Sequence, residues 1–381
     1  MIKLFDEDSY ISEFSARAEK CIKSQDGYLV TLSQTAFFPT AGGQECDSGT
    51  LDDEEVLSVI CENDEIYHLV KNPIEEGKTV TGKICFSERF RKMQHHSAEH
   101  IVSGLAFSHI GLKNTGFHLG KDDVTIDYGT EITEEQLCEL ETLANEVVFK
   151  NLEISASYPK DEELKNINYR SKKEILGKIR IVTIPGVDVC ACCAPHVRRT
   201  GEIGIIKFTD MVRHRGGVRI RMICGKDALL DYRQKQKSVT EISRLLSAPQ
   251  NDVSGAVLKL SDGLLELKRK NAQLTNELAL SEIKGIPKTE GNFLIFSAVC
   301  DKNAQRMIAN EAKNRVGGVF ALLSGDDENG YSYIITANNG VSEFVKKLNS
   351  ALSGKGGGRG DTAEGHFFAV RGKIEAEFKN L

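Results

Sequence analysis

The chain changes its hydrophobic rhythm four times. Its first ninety residues carry short apolar or alternating runs, as in GYLVTLSQTAFF (27–38) and GTLDDEEVLSVIC (49–61). Turn clusters such as Pro39-Thr40-Ala41-Gly42-Gly43 and Asn63-Asp64 separate them. Several short strands at close spacing predict a small barrel. From Ser87 the period lengthens. Phe90, Met93, Ile101, Leu105 and Ile110 fall on one side of a helix that Gly111 can stop. Thr133-Glu134-Glu135-Gln136 reads as a capping box opening a second helix with Leu137, Leu140, Leu143 and Val147 on one face. Alternation returns in KIRIVTIPG (178–186) and across 202–225.

Further on, Leu260, Leu264, Leu267, Asn271, Leu274 and Leu278 step by 4, 3, 4, 3 and 4 residues. This is the seam rhythm of a coiled coil with one polar position. It predicts either a dimer contact over 252–283 or a hairpin with 234–247, and the dimer is the favoured expectation. The last hundred residues read as a separate α/β domain. FLIFSAVCD (293–301) and VFALLSG (319–325) are expected as buried strands, NAQRMIANEAKNRV (303–316) and VSEFVKKLNSAL (341–352) as helices. A glycine-rich stretch, Ser353 to Asp361, follows. It lets backbone approach an anion or another backbone closely, and it lacks the G-x-x-x-x-G-K-[ST] spacing of a phosphate-binding loop.

With 381 residues, two or three domains are expected. No apolar run reaches the roughly 20 residues of a membrane-spanning helix, and MIKLFDEDSY turns acidic at once, unlike a secretory leader. The expectation is a cytoplasmic chain, in which ten cysteines are metal ligands or buried thiols rather than disulfides. The net charge of −6 is unevenly spread. Gly43 to Ile66 holds nine acids and no base, whereas Pro159 to Lys226 holds fifteen Lys and Arg against seven Asp and Glu. A basic region inside an acidic chain can steer a polyanion; it can equally be a solvated face.

The candidate chemistry lies in two places. His96 and His100, at i and i+4 in the first helix, put two imidazoles one turn apart on one face. Glu99 stands before the second histidine, so the H-E-x-x-H arrangement of metalloproteases is absent. Cys192-Cys193-Ala194-Pro195-His196 supplies C-x-x-x-H from a loop. Two His from a helix with a Cys and a His from a loop form an N/S set suited to Zn2+. Cys190 and Cys193 remain alternatives to Cys192. His95 falls on another helix face and is expected in packing. No G-x-S-x-G elbow is present, and no acyl-enzyme signature accompanies a thiol nucleophile near His196.

HHSAEHIVSG (95–104) resembles the H-x-x-x-H helix of the alanyl-tRNA editing domain. VDVCACCAPHVRRTGEIG (187–204) resembles its C-x-x-x-H loop, and TAFFPTAGGQECDSGTL (35–51) its Thr-x-Phe-Tyr-Pro…Gly-Gly-Gln…Asp-x-Gly segment. SGKGGGRGD (353–361) is similar to the glycine-rich motif shared by the C-terminal domains of alanyl-tRNA synthetases and DHH phosphoesterases; no D-H-H motif is present. Four motifs in order leave no room for an aminoacylation domain, so the chain resembles the long form of AlaX, the freestanding alanyl-tRNA editing family. One departure stands out. The family loop Cys-Gly-Gly-Thr-His is here Cys-Cys-Ala-Pro-His.

The resemblance implies an α+β chain with a small N-terminal β-barrel (1–86), an α/β zinc-containing editing core (87–230), a helical coiled-coil linker (231–287) and a C-terminal α/β domain (288–381). It implies zinc-dependent deacylation of alanine-specific tRNA mischarged with serine or glycine. His96, His100, Cys192 and His196 become the ligands; Thr35 and Gln44 enter the pocket. Asp47 matches a family position but reads equally as a turn carboxylate. The acceptor end of tRNA is expected across Arg198, Arg199, Arg213, Arg215, Arg219 and Arg221, with Lys172, Lys173 and Lys178 behind them and Lys355 and Arg359 as a second contact. A homodimer through the 252–283 helix or the C-terminal domain is expected. The alternatives are a non-catalytic zinc-stabilised tRNA-binding module and a phosphoesterase acting on small nucleotides.

Overall fold

The computed structural model describes residues 1–120, 124–171 and 178–380. The chain divides into two compact units, Met1–Ser238 and Val239–Leu381, and passes between them within the helix Gly225–Leu246.

In the first unit, six antiparallel strands pair in a closed ring in the order Glu13–Lys23, Tyr28–Leu32, Glu65–Val70, Glu54–Glu62, Gly49–Leu51 and Thr79–Ile84. The last returns to the first through Glu13↔Lys83 to Arg17↔Thr79. Alternation places Phe14, Ala16, Ala18, Val30, Leu32, Val59, Ile66 and Val80 inside. Phe37, Phe38 and Leu51 close the same core, and Ala194 packs against it.

The helix Phe86–Ile110 follows and ends where Gly111 adopts φ 70°, a left-handed conformation that favours glycine. From Met93 to Ala106 every residue is buried. Its apolar positions, among them Met93, Ile101, Val102 and Leu105, pack on a four-stranded antiparallel sheet ordered Ile206–His214, Gly217–Cys224, Val124–Tyr128 and Asn114–Leu119. Full burial of one such side chain contributes about 1.5–3 kcal/mol. The helix Glu134–Phe149 joins this core through Leu140, Ala144 and Val147, and its expected capping box is present, Thr133 Oγ1 accepting from Gln136 N. A three-stranded sheet, Ser155–Ser157, Ile181–Ile184 and Asp188–Ala191, carries the cysteine-bearing loop.

The second unit begins in the end of the helix Gly225–Leu246 and continues with the helix Val253–Gly285. Its five-stranded sheet runs in the order Phe293–Phe296, Val319–Asp326, Gly330–Ala337, Thr362–Phe367, Lys355–Arg359, the first pair parallel and the rest antiparallel. Phe320, Leu322 and Ile334 face one apolar layer, with the helix Lys302–Ala312 and with Ala279 and Ile283. Val319, Ala321, Leu323, Tyr333 and Ile335 face the other, with the helices Ser342–Ala351 and Arg371–Lys379. Cover on both faces explains the unbroken apolar run at 319–323. Phe293–Phe296 is half-buried because it forms an edge of the sheet, not the buried strand expected.

Two expectations change form here. Over Lys355–Arg359 the glycine-rich stretch is an exposed edge strand. Its glycines answer to packing: a Cβ at Gly356 would stand 2.4 Å from Gly365 Cα. The leucine stripe is helical as expected, yet Leu260, Leu264, Leu267, Leu274 and Leu278 are 41–67% exposed. No helix among the described residues is long and apolar enough to cross a membrane, and all ten cysteines are free thiols.

Candidate metal centre

His96, His100, Cys192 and His196 each offer a ligand atom, and these atoms lie within 4.8 Å of one another. The helix brings the first two; the tight C-x-x-x-H loop brings the others. Cys192 Sγ lies 3.5 Å from His96 Nε2 and 3.4 Å from His196 Nε2. The imidazoles pack closely, with ring centroids 4.7 Å apart for His100 and His196 and 5.0 Å for His96 and His196. Arg180 braces the loop by donating to the carbonyls of Cys192 and Ala194 at 3.1 and 2.9 Å.

Each imidazole turns its Nδ1 away from the cluster to a different partner. His96 Nδ1 donates to Gln44 Oε1 at 2.9 Å. His100 Nδ1 donates to Asp188 Oδ2 at 2.9 Å. His196 Nδ1 lies 3.0 Å from Ser97 Oγ. At His96 and His100 the partner oxygens only accept, which fixes the tautomer that leaves Nε2 to bind a cation. Asp188 accepts in turn from Nε and Nη2 of Arg170, at 2.7 and 2.8 Å.

Electrostatics agree with this arrangement. Burial pushes the Cys192 thiol up, but His96, His100 and His196 outweigh it and hold it well below its ordinary value. Burial works against the charge on His100 too, yet Asp188 and Cys192 raise it well above the ordinary histidine value. Burial dominates at His196 and pushes it down to about 3. A thiolate, the neutral His196 imidazole, the carboxylate-backed His100 and the Gln44-bonded His96 are donor types that Zn2+ takes in tetrahedral sites.

Among the alternative thiols, Cys193 is exposed and outside this set, while Cys190 groups with His100 and Asp188 instead. His95 is in packing, as expected: it is fully buried, accepts from Cys224 N at 3.2 Å and donates to Arg91 O at 2.9 Å.

Gln44 sits at the end of a short turn closed by Ala41 N–Gln44 O and Gln44 N–Ala41 O bonds of 3.1 and 3.0 Å. Its side chain is buried beside His96, and its Nε2 has no hydrogen-bond partner among the described residues. Thr35 is also buried, but its hydroxyl faces His68 inside the barrel, 2.8 Å from Nε2. His68 Nδ1 donates to Val30 O at 3.1 Å, so Nε2 accepts and Thr35 donates. Phe37 N donates to the same Thr35 oxygen at 3.1 Å. Thr35 is thus engaged with His68 and Phe37 inside the barrel. Asp47 has the structural role: it accepts from Phe38 N at 2.6 Å and pairs with the buried Arg89, which also donates to Ala36 O at 2.6 Å.

Of the six arginines expected at the tRNA, several are engaged within the chain. Arg198 pairs with Asp8 at 3.0 Å and lies over the Tyr10 ring. Arg199 donates to Asn151 O at 2.7 Å. Arg213 reaches Glu131 at 3.4 Å, and Arg219 holds Asp127 at 2.7 Å. Arg198, Arg199, Arg213, Arg215 and Arg221 are exposed, as are Lys178, Lys355 and Arg359. Lys172 and Lys173 lie outside the described residues. Sequence reasoning missed Ser97, Arg170, Arg180 and His68. Asp188 was visible only as the Val-Asp before the cysteine loop.

A closed antiparallel barrel followed by a helix and loop that converge on a buried His3Cys cluster defines a class: an α+β protein with a metal-capable site next to its barrel loop. Comparison with known proteins narrows the class. Residues 179–222 match the threonyl and alanyl tRNA synthetase second additional domain. Alanyl-tRNA editing protein Aarsd1 of Danio rerio is 26% identical over 98% of this chain and 96% of its own length. The Rattus norvegicus protein of the same name is 27% identical over 99% and 97%. The alanine–tRNA ligase of Pyrococcus abyssi is 29% identical over 98% of this chain, which covers 42% of the ligase. The chain is thus a homologue, along nearly its whole length, of alanyl-tRNA editing proteins and of part of alanine–tRNA ligases.

Proposed function

We propose that this protein is a trans-editing deacylase that hydrolyses the ester of alanine-specific tRNA mischarged with serine or glycine, in the cytoplasm, with Zn2+ held by His96, His100, Cys192 and His196. The observation that carries the reading is the convergence of four ligand atoms whose three imidazoles are each anchored at Nδ1 by a separate partner. Full-length similarity to alanyl-tRNA editing proteins supports the substrate class.

An aminoacyl ester is already reactive, so positioning of ester and water accounts for most of what the site must do. Bound zinc supplies Lewis acidity and an anchor for an amino or carbonyl group. The chain's own residues do the rest. Gln44 holds His96 through Oε1 and offers its buried Nε2–H to an oxygen of the acyl group. Thr35, its proton committed to His68, offers an acceptor to the serine hydroxyl. A site that hydrogen-bonds a substrate hydroxyl can reject the analogue lacking it by ~10⁴. Thr35→Val is therefore expected to keep the metal and lose discrimination between serine and alanine, read from release rates on the two tRNAs. The exposed arginines and the Lys355–Arg359 edge strand are assigned to tRNA phosphates, and the 260–278 leucine stripe to a second copy of the chain.

The test is release of labelled serine from serine-charged alanine tRNA, beside alanine-charged tRNA and a His96→Ala control. Release of serine alone, lost in the control, supports editing at this site. A folded, zinc-loaded protein that binds tRNA without releasing serine makes the module a binding one and overturns the reading.

A further inference from the structure

Arg89, Lys92 and His96 follow one another along the histidine helix at intervals of three and four residues, which sets them on one ridge. Each holds a different residue of the segment Gln44–Asp47. Arg89 Nε donates to Asp47 Oδ1 at 2.9 Å. Lys92 Nζ donates to the Cys46 carbonyl. His96 Nδ1 donates to Gln44 Oε1 at 2.9 Å. The spacings agree. The helix rises about 10 Å from Arg89 to His96, and three residues of extended chain, from Asp47 back to Gln44, span about the same distance. The segment therefore runs antiparallel along the helix and is tied to it at three points.

Lys92 is the unusual member of this row. It is 7% exposed, and among the described residues its ammonium meets the Cys46 carbonyl while no carboxylate pairs with it. Arg89, on the same ridge, has Asp47 as its counter-charge. A buried cation without one costs stability, so Lys92 serves the molecule by what it positions.

The surroundings of the segment show why a tie is needed at Cys46. A cavity of about 560 Å3 lies beside it, with Thr40, Glu45, Cys46, Ser48, Glu88 and Lys92 in its walls. Glu88 is engaged there with Ser48 Oγ, which donates to it at 2.5 Å. Cys46 N donates to Thr40 Oγ1 at 3.1 Å, a bond within the segment's own loop. The tie from Cys46 across to the helix is the Lys92 bond. Without it the segment has room to relax toward the cavity, and Gln44, two residues on, relaxes with it.

We propose that Lys92 is a positioning residue of the metal centre: by holding the Cys46 carbonyl it keeps the Gln44 amide against His96, one helical turn further along. Gln44 then fixes the His96 ring through Oε1 and holds its buried Nε2–H in one place. That this N–H meets an acyl oxygen rests on the deacylase reading; the coupling of Lys92 through Gln44 to the metal does not.

The experiment compares the full chain with Lys92→Met, Gln44→Ala and the double variant. Three quantities are read: the urea midpoint, zinc affinity by chelator competition, and kcat and KM for serine-charged tRNA. Met keeps the length of the lysine stem and removes the unpaired charge, so the midpoint of Lys92→Met is expected to stay or rise. Zinc affinity is expected to fall about ten-fold in Lys92→Met and in Gln44→Ala alike, the loss of one partner behind a ligand. The double variant should lose no more than either single one, because both act through the same contact. The value of kcat should follow that pattern with KM little changed. Unmoved zinc affinity in Lys92→Met, additive losses in the double variant, or a Lys92→Met chain that no longer folds overturns the proposal. Serine release with kcat unmoved in Lys92→Met also overturns it and leaves the deacylase reading intact. The same non-additive loss of zinc affinity in a protein that releases no serine upholds the proposal and defeats that reading.

Discussion

His68 is buried inside the barrel and pushed down to about 4 by that burial. The unfolded chain protonates this ring near 6.5, whereas the fold keeps it neutral. Stability is thus complete above pH 6.5 and falls as pH drops toward 4, by about 3 kcal/mol in all. His68→Asn should flatten that stretch of the pH–stability curve in urea titrations; an unaltered slope would show that another group carries it. At Asp188 the outcome concerns the metal. Asp188→Asn leaves His100 without its carboxylate and is expected to lower zinc affinity by about 10–100-fold, measured by chelator competition. At this scale the sequence was partly readable. His96 and His100 announce themselves by spacing, because one helical turn fixes their bite; the C-x-x-x-H loop does so for His196, while spacing left Cys190 and Cys193 beside Cys192. Ser97, Arg180 and His68 carry no such mark: Ser97 meets His196 across 99 positions, and only the folded chain makes them neighbours.

The segment Thr35–Asp47 and the helix Phe86–Ile110 are joined by the buried pair of Arg89 and Asp47. Both charges are out of water, so removing one strands the other. Arg89→Met is expected to cost about 3–5 kcal/mol in urea unfolding. Adding Asp47→Leu should recover a good part of it; a purely additive double variant would deny the coupling. Among elements, long periodic ones were readable. The histidine helix was found although it is buried on nearly every face, because Phe90, Met93, Ile101, Leu105 and Ile110 repeat along one side and Gly111 marks its end. The Lys355–Arg359 strand was not found. Five residues with three glycines carry no alternation, and their conformation is set by the neighbouring strand.

For the molecule as a whole, the leucine row at 260–278 is the feature that a single chain leaves open to water. If a second copy covers it, Leu267→Lys with Leu274→Lys should turn a dimer into a monomer in sedimentation, with the far-ultraviolet spectrum kept. A wild-type monomer at micromolar concentration would end that assignment. The division at Ser238 runs inside a continuous helix, which no change of composition marks.

The metal centre draws its parts from distant points of the chain: 52 positions separate Gln44 from His96, 88 separate His100 from Asp188, and 96 separate His96 from Cys192. In small zinc modules the ligands are near neighbours and the ion itself organises the chain. Here the pincers exist only after barrel, helix and sheet have met, and contacts of such long separation form late. On the zinc reading proposed above, uptake of the ion would certify finished folding, and a lesion far off in the barrel would show first as a chain that fails to load.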